Sequence, residues 1–300
     1  MTRNDRSLNS IQDMAAKEEN IAANTVQKMQ QLKEMLAKMT QNDIAIAFSG
    51  GVDSSLLLKL ACEQAKENGT QVHAILIHTS LHPQGDLAIA RQVASETGAL
   101  FHVLSVDELK EAGILDNPVD RCYLCKKYFF TRCRELADTL HITTILDGTN
   151  ADDLKVYRPG IRALRELEIC SPLAQCDVTK AEVREMAGEL AVSVAQRPSA
   201  PCLATRFPYG TRLDRDAMHR VEAGEEFLKA LGLRNVRIRV YDDLIRIETE
   251  PQSMPVLLAD REQIIARMKA LGFRYITLDL EGFRSGSMDL KLLETEAESR

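Results

Sequence analysis

The 300-residue chain has no tryptophan, and aromatic residues make up only 5% of it. Basic side chains are not in excess: 38 Lys and Arg stand against 44 Asp and Glu, a formal charge of −6. A surface that grips nucleic acid needs clustered cations and stacking rings, so neither a nucleic-acid nor an anionic-membrane partner is expected. No apolar run approaches the ~18 residues that would span a bilayer. The opening Met1–Ser10 stretch has no apolar segment followed by a small-residue cleavage site, so a soluble, cytoplasmic protein is expected. Internal repeats and low-complexity tracts are absent as well. The seven cysteines are odd in number and read as cytosolic thiols, possible metal ligands, rather than a disulfide framework.

What is present is ordinary globular composition, 45% apolar and 27% charged, long enough for one large domain or two modest ones. Residues 1–20 carry no core pattern. Ile21 to Met39 places Ile21, Met29, Leu32, Leu36 and Met39 at helical spacing, so residues 1–40 read as an extension bearing an amphipathic helix. Asp43–Phe48 is nearly all apolar, as a central parallel strand is. Strand-like Val72–His78, Leu100–Val106 and Thr143–Leu146 then alternate with helical Ser55–Lys66, Leu87–Thr97 and Cys125–Leu140. Such alternation predicts an α/β fold, a parallel sheet with helices on both faces, over residues 41–205. Thr179–Leu190 adds a helix capped by Thr179 and Glu182. The Pro-rich Arg197–Arg206 stretch continues neither element and marks a loop or boundary. Beyond it, a helix over His219–Leu231, a hairpin of Val236–Tyr241 and Leu244–Glu248 about Asp242-Asp243, a helix over Asp260–Leu271 and a strand over Tyr275–Leu280 predict a smaller α+β domain, residues 206–300.

The strongest local signal is Ser49-Gly50-Gly51-Val52-Asp53-Ser54, between the first strand and its helix. Such a loop aims backbone N–H groups and a helix N-terminus at an anion. Gly50 and Gly51 allow close approach of a phosphate, and Ser49 and Ser54 add hydroxyl donors. The loop is neither a Walker A motif nor a G-x-G-x-x-G fingerprint. The plain alternative is a tight turn with glycines for sterics alone; six residues in this context favour the phosphate. The motif resembles that of the PP-loop ATP pyrophosphatases. The resemblance implies a Rossmann-like adenine nucleotide alpha-hydrolase fold, ATP cleaved between its α- and β-phosphates, Mg2+ alongside, and AMP and pyrophosphate as products. Ile77-His78-Thr79-Ser80 closes the second strand, where open α/β sheets bind ligands, which makes His78 and Ser80 nucleotide-site candidates. Gly148-Thr149-Asn150-Ala151-Asp152-Asp153 closes a later strand, with carboxylates placed for a metal or a ribose. Turn formation is the plainer reading of each patch taken alone.

Cys122 and Cys125 form one C-x-x-C, and Cys202 lies far along the chain in Pro201-Cys-Leu-Ala-Thr-Arg206. Structural zinc is disfavoured for want of a second C-x-x-C, and a thioredoxin-type pair lacks its context. Three thiolates would leave one iron of a cubane cluster open to chemistry. From spacing, a metal or cluster site and unremarkable thiols stand level, and Cys170 and Cys176 compete as third ligands. Cys62 and Cys133 are expected in the core.

The segments Arg121–Lys126, Pro201–Gly210, Val236–Val240, Arg246–Glu248 and Gly282–Ser287 together resemble the LarE family of ATP-dependent sulfur insertases, which serve nickel-pincer nucleotide biosynthesis. The likeness runs from about Asp43 to Asp289. It implies a small-molecule nucleotide substrate, pyridinium-3,5-biscarboxylic acid mononucleotide, whose carboxylates are adenylated and converted to thiocarboxylates. Single-cysteine members sacrifice the cysteine equivalent to Cys202, whereas three-cysteine members hold a 4Fe-4S cluster; with Cys122, Cys125 and Cys202 this chain resembles the latter. It also implies a homo-oligomer, a hexamer of two trimers. A tRNA thiolase and a non-catalytic nucleotide-binding regulator are the rival readings.

Along Val236–Val240 the arginines Arg237 and Arg239 share one face, expected to be open, and by resemblance bind the substrate phosphate. Arg206, close to Cys202, is a candidate to stabilise an anion or lower the thiol's pKa, its plain alternative being a surface salt bridge. Glu222 and Glu225 share a helix face; Glu225 is carried as a catalytic candidate beside Cys202, Asp53 and Arg206, against the simpler expectation of a solvated acidic face. His73, His78, His82 and His102 lack metal spacing.

Overall fold

The computed structural model describes residues 23–83, 85–155, 159–198, 201–233, 235–284 and 287–288. Along the chain run α1 (23–39), β1 (Ile44–Ala47), α2 (Val52–Asn68), β2 (Val72–His78), α3 (Asp86–Thr97), β3 (Leu100–Ser105), α4 (Glu108–Glu111), α5 (Arg121–Thr139) and β4 (Thr144–Asp147). There follow α6 (Gly160–Glu166), α7 (Pro172–Gln175), α8 (Lys180–Glu189), α9 (Arg215–Ala230), β5 (Val236–Tyr241), β6 (Leu244–Thr249), α10 (Met254–Ala259), α11 (Arg261–Ala270) and β7 (Tyr275–Leu278). No helix among the described residues is long and apolar enough to cross a membrane.

Two compact units divide the chain. The first comprises the described residues of Met1–His78, Gly85–Val106 and Cys122–Ser199; the second, those of Thr79–Gln84, Asp107–Arg121 and Ala200–Arg300. This differs from a single cut after residue 205: the second unit starts within the Pro-rich stretch and also takes two excursions that follow β2 and β3.

The first unit is built on a parallel sheet in the order β3-β2-β1-β4. Alternation along β1 sends Ile44 and Ile46 into one core, with α1, α2, α3 and α8, and Ala45 into the other, with α5. Helix α1 is no appendage. Leu32 and Leu36 are fully buried, each worth about 1.5–3 kcal/mol of transfer, and Lys28 pairs with Glu182 on α8 at 2.9 Å. Residues 1–22 of the expected extension lie outside the described residues. Helix α8 carries the expected capping box of Thr179 and Glu182. Helix α5 starts at Arg121 rather than Cys125, because a turn closed by Arg121 N–H on Pro118 O (3.0 Å) leads straight into it.

The second unit holds the sheet β5-β6-β7: β5 and β6 pair antiparallel across Asp242-Asp243, and β7 lies parallel to β6. Asp214 caps α9 by accepting from Ala217 N–H at 2.8 Å, which starts that helix four residues before the apolar periodicity at His219 becomes visible.

His73 on β2 and His102 on β3 stack, with Nδ1 and Nε2 3.0 Å apart. Burial pushes both below the usual imidazole range, and the neighbouring His102 lowers His73 further. A native pKa lowered in this way means the unfolded chain takes up protons first. Stability is therefore full above pH ~6.5 and falls as the pH drops below it. Urea midpoints measured from pH 7.5 to 5 are expected to fall, and His73→Gln is expected to flatten that slope.

Candidate active site

The order β3-β2-β1-β4 reverses direction at β1, so the crevice of the sheet opens between the carboxyl ends of β1 and β4. The loop Ser49–Ser54 leaves β1 there, and Gly148–Asn150 leaves β4 beside it. Gly148 admits no side chain: a Cβ would stand 2.8 Å from Ser54 N. Gly50 has a left-handed backbone (φ +70°) and lies against Ala90 of α3. Helix α2 begins without a side-chain cap, so its first N–H groups keep no partner of their own and face the loop. Ser49 and Ser54 hydroxyls sit 3.2 Å apart, and Gly51 N–H donates to Ser49 Oγ at 3.3 Å. Such an arrangement of N–H groups and hydroxyls can accept a polyphosphate.

Asp53 faces the same crevice. Asn150 Nδ2 donates to its Oδ1 at 3.0 Å, and Lys180, the first residue of α8, forms an ion pair with its other oxygen. A lone carboxylate at this point suits magnesium carried in on phosphates, since Mg2+ takes one or two carboxylates and otherwise keeps phosphate and water. Lys180 was not among the residues singled out in the sequence. The signal was there: a cation in the first turn of a helix opposes the macrodipole and asks for a reason.

The other nucleotide candidates divide. His78 ends β2, half-buried. Thr149 donates to Asp147 at 2.5 Å, as does Ser171. Asp152 and Asp153 are not free for a metal: Asp152 accepts from Lys180 N–H (2.9 Å) and Lys155, Asp153 from Asn150 N–H (3.2 Å). Those bonds hold Asp152 below the usual carboxylate range, the Lys180 N–H foremost. Ser80 belongs to the second unit, where its hydroxyl donates to the fully buried Glu108 at 3.2 Å.

Cys122 (exposed) and Cys125 (half-buried) occupy the first turns of α5 at i and i+3, on one helix face. Cys133 and Cys176 are buried; burial pushes the Cys133 thiol up to about 12 and Cys176 upward. Cys62 is half-buried against the core and pushed up to about 11 by burial. Cys170 is half-buried against the same core, and its N–H and C=O bond Ile145 O and Asp147 N–H. Neither Cys170 nor Cys176 stands out as a ligand. Among the described residues, no group of three or more His, Cys, Asp or Glu is gathered as a metal's ligands would be. Cys122 and Cys125 belong to the first unit and Cys202 to the second.

In the second unit, Cys202 opens a single turn, Leu203–Arg206, whose fold is fixed from three sides. Thr205 Oγ1 donates to Cys202 O at 2.8 Å, Leu203 N–H to Leu81 O at 2.9 Å, and Glu108 accepts Leu81 N–H at 3.1 Å. Buried Asn117, itself at positive φ, donates to Phe207 O (3.1 Å) and Pro208 O (2.7 Å) and is bonded by Arg121. Asn117-Pro118 was the visible turn signal for this clamp.

Arg206 and Glu225 correct the surface readings made for them. At 3% and 2% exposure they form a buried bidentate pair, Nε and Nη2 to the two carboxylate oxygens at 2.9 and 2.8 Å. Arg206 Nη1 turns to the carbonyls of Pro201 (3.0 Å) and Cys202 (3.3 Å), so it shapes the loop backbone instead of pointing at the thiol. Burial raises the Glu225 pKa, but the Arg206 bonds and the Ile238 N–H outweigh it and hold the carboxyl below its ordinary range. Glu222 is buried as well, so this face of α9 is not solvated.

Nor is the arginine face of β5 open: Arg237 and Arg239 are 8% and 5% exposed. Arg239 bonds Glu248 (3.0 Å), Thr205 O (2.8 Å) and Ser287 (3.0 Å). Arg237 lies over the Phe283 ring at 5.3 Å and donates to its own Val236 O at 2.8 Å, and no carboxylate pairs with it among the described residues. Burial, then the Arg206 charge, lower its pKa. The alternation of β5 was read correctly, but the turn at Cys202, Phe283 and Ser287 meet the face that it left outside.

A glycine- and hydroxyl-lined loop at a switch point, with a carboxylate and a lysine beside it, fits a nucleotide-using α/β enzyme. Residues 24–114 match the PP-loop domain family. The chain is 34% identical over 253 residues to pyridinium-3,5-bisthiocarboxylic acid mononucleotide synthase of Lactiplantibacillus plantarum, covering 84% of this chain and 91% of that one. It is 34% identical over 264 residues to an uncharacterized Synechocystis protein (87% and 97% covered) and 33% over 261 residues to one from Methanocaldococcus jannaschii (87% and 98%). The chain belongs to the LarE family of PP-loop enzymes, which insert sulfur at the expense of ATP.

Removing one partner of a buried ion pair strands the other. Glu225→Ala is expected to destabilise the protein by about 3–5 kcal/mol, read by urea unfolding, with Glu225→Gln less damaging because it still accepts a hydrogen bond.

Proposed function

We propose that the protein adenylates the carboxylates of pyridinium-3,5-biscarboxylic acid mononucleotide and converts them to thiocarboxylates. The observation that carries the reading is the uncapped start of α2 behind Ser49–Ser54, together with the family relationship. ATP, as its magnesium complex, lays its β- and γ-phosphates on the N–H groups and hydroxyls of the cradle. A substrate carboxylate oxygen attacks the α-phosphorus, the bond to the β-phosphate bridge breaks, and pyrophosphate leaves. Holding the leaving group's charge is the work of the loop and of Lys180. The mixed anhydride then has AMP as a good leaving group, so a soft sulfur nucleophile attacks the acyl carbon without a strong base. Arg237, buried and without a carboxylate, is the guanidinium left for the substrate's phosphate, with Arg239 beside it.

For the sulfur, the set Cys122, Cys125 and Cys202 supports a 4Fe-4S cluster, which when bound would supply an iron-held sulfide. The alternative sulfur donor is Cys202 itself. In that case the Cys202 thiolate displaces AMP to give a thioester. Loss of the Cα proton then breaks the Cβ–S bond, leaving a thiocarboxylate and dehydroalanine. The net charge of −6 supports a small-molecule substrate over tRNA. A cytoplasmic, homo-oligomeric enzyme completes the reading; exposed Leu258, Ile265, Tyr275 and Leu280 offer apolar surface in the second unit.

An anaerobic assay with MgATP and the biscarboxylate nucleotide, following AMP, pyrophosphate and thiocarboxylate together, tests it. Asp53→Ala is expected to lower pyrophosphate release by about 100-fold or more. Cys202→Ala is expected to abolish thiocarboxylate while pyrophosphate is still released. Unchanged turnover in Asp53→Ala overturns the ATP site. Iron in the anaerobic protein, lost in Cys122→Ala, marks cluster delivery; loss of the mass of hydrogen sulfide from Cys202 marks the sacrificial route.

A further inference from the structure

The carbonyl of Gly50 does not point into the phosphate cradle. It accepts a hydrogen bond from Arg197 Nη1 at 3.2 Å, and Arg197 Nη2 is in turn held by Asp86 Oδ1 at 2.5 Å. Asp86 opens α3, the helix whose Ala90 lies against Gly50. Both side chains are largely withdrawn from water, at 22% and 16% exposure. In a trans peptide the C=O and N–H point in opposite directions. Fixing the Gly50 oxygen on a guanidinium therefore fixes Gly51 N–H on the other side, toward Ser49 Oγ and the cradle.

The restraint matters because the peptide joins two glycines. With no Cβ on either side, the Gly50–Gly51 unit rotates more cheaply than any other peptide of the loop. A flipped unit would put a carbonyl oxygen where a phosphate oxygen must sit, replacing an attraction with a repulsion of like partial charges. No other described side chain bonds the Gly50 oxygen.

We propose that Arg197 is a positioning residue for ATP: it locks the Gly50–Gly51 peptide with its N–H toward the pyrophosphate and its carbonyl away, and Asp86 aims it. The role concerns the β- and γ-phosphates and not the nucleoside. It deepens the ATP-site reading and rests on it.

Calorimetric titration of the full chain with magnesium pyrophosphate and, separately, with AMP provides the test. Arg197→Ala is expected to weaken pyrophosphate binding about tenfold and leave AMP binding within about twofold. Arg197→Lys, which still reaches a carbonyl but lacks the fork, is expected to recover part of the loss. Asp86→Ala is expected to weaken pyrophosphate too, because the guanidinium loses its aim. Circular dichroism and thermal unfolding of each variant show whether the fold is kept, and Asp86→Ala carries the test if Arg197→Ala does not fold. Equal losses for pyrophosphate and AMP, or no loss for pyrophosphate, overturn the proposal. So does tighter pyrophosphate binding in Asp86→Ala, the mark of an arginine that touches the phosphate directly. Failure of the unaltered protein to bind pyrophosphate at all overturns the ATP site itself, and this role with it.

Discussion

A helix that begins without a cap is the constraint from which the rest of the first unit follows. The first N–H groups of α2 have no acceptor within the helix, and none of the loop's side chains supplies one in the manner of an N-cap. Most helices would be stabilised by about 1 kcal/mol through a capping side chain there. In α2 the position follows a glycine-rich loop, a setting that suits an anion. Keeping it open asks much of the neighbours: a left-handed glycine at 50, a second glycine at 51, and a third at 148 whose missing side chain lets the β4 loop lie directly on Ser54. The parallel sheet supplies the remaining condition, since only at the switch between β1 and β4 does a crevice open at the carboxyl ends of two neighbouring strands.

The second unit solves a different problem, that of keeping several charges dry. Arg206 with Glu225 and Arg239 with Glu248 are pairs in which each ionised oxygen meets a guanidinium or a backbone N–H. Buried pairs of this kind contribute little net stability over apolar packing, because desolvation offsets the attraction. What they contribute is shape: Arg206 and Arg239 both reach main-chain carbonyls of the Cys202 turn, so the thiol's backbone is held by side chains from α9 and β5 through their ion pairs. Arg237 is the exception, a buried cation over a phenyl ring with a carbonyl for its partner.

Much of this was written locally. Hydrophobic alternation placed β1, β2, β3 and β5 to within a residue or two, and Thr179 with Glu182 announced α8. The glycines and hydroxyls of Ser49–Ser54 announced the tight turn between β1 and α2, because backbone reach and donor supply are properties of a few adjacent residues. Helix ends were less legible. The starts of α5 and α9 depend on Pro118 and Asp214, which act on backbone hydrogen bonds and leave no mark on the apolar period.

Exposure was the property that local pattern misjudged. Arg237, Arg239, Glu222 and Glu225 have the spacing of solvated faces, yet all four are buried; the turn at 203–206 meets Glu225 and Arg239, and Phe283 and Ser287 meet the two arginines. The sequence by itself determined the strand–helix alternation and the anion-seeking loop, since both follow from short-range sterics and hydrogen-bond supply. Only the tertiary structure decided which charges pair, that Lys180 meets Asp53 and that Arg197 meets Gly50. Those contacts join residues more than a hundred positions apart, and no periodicity along the chain encodes which strand end a side chain will reach.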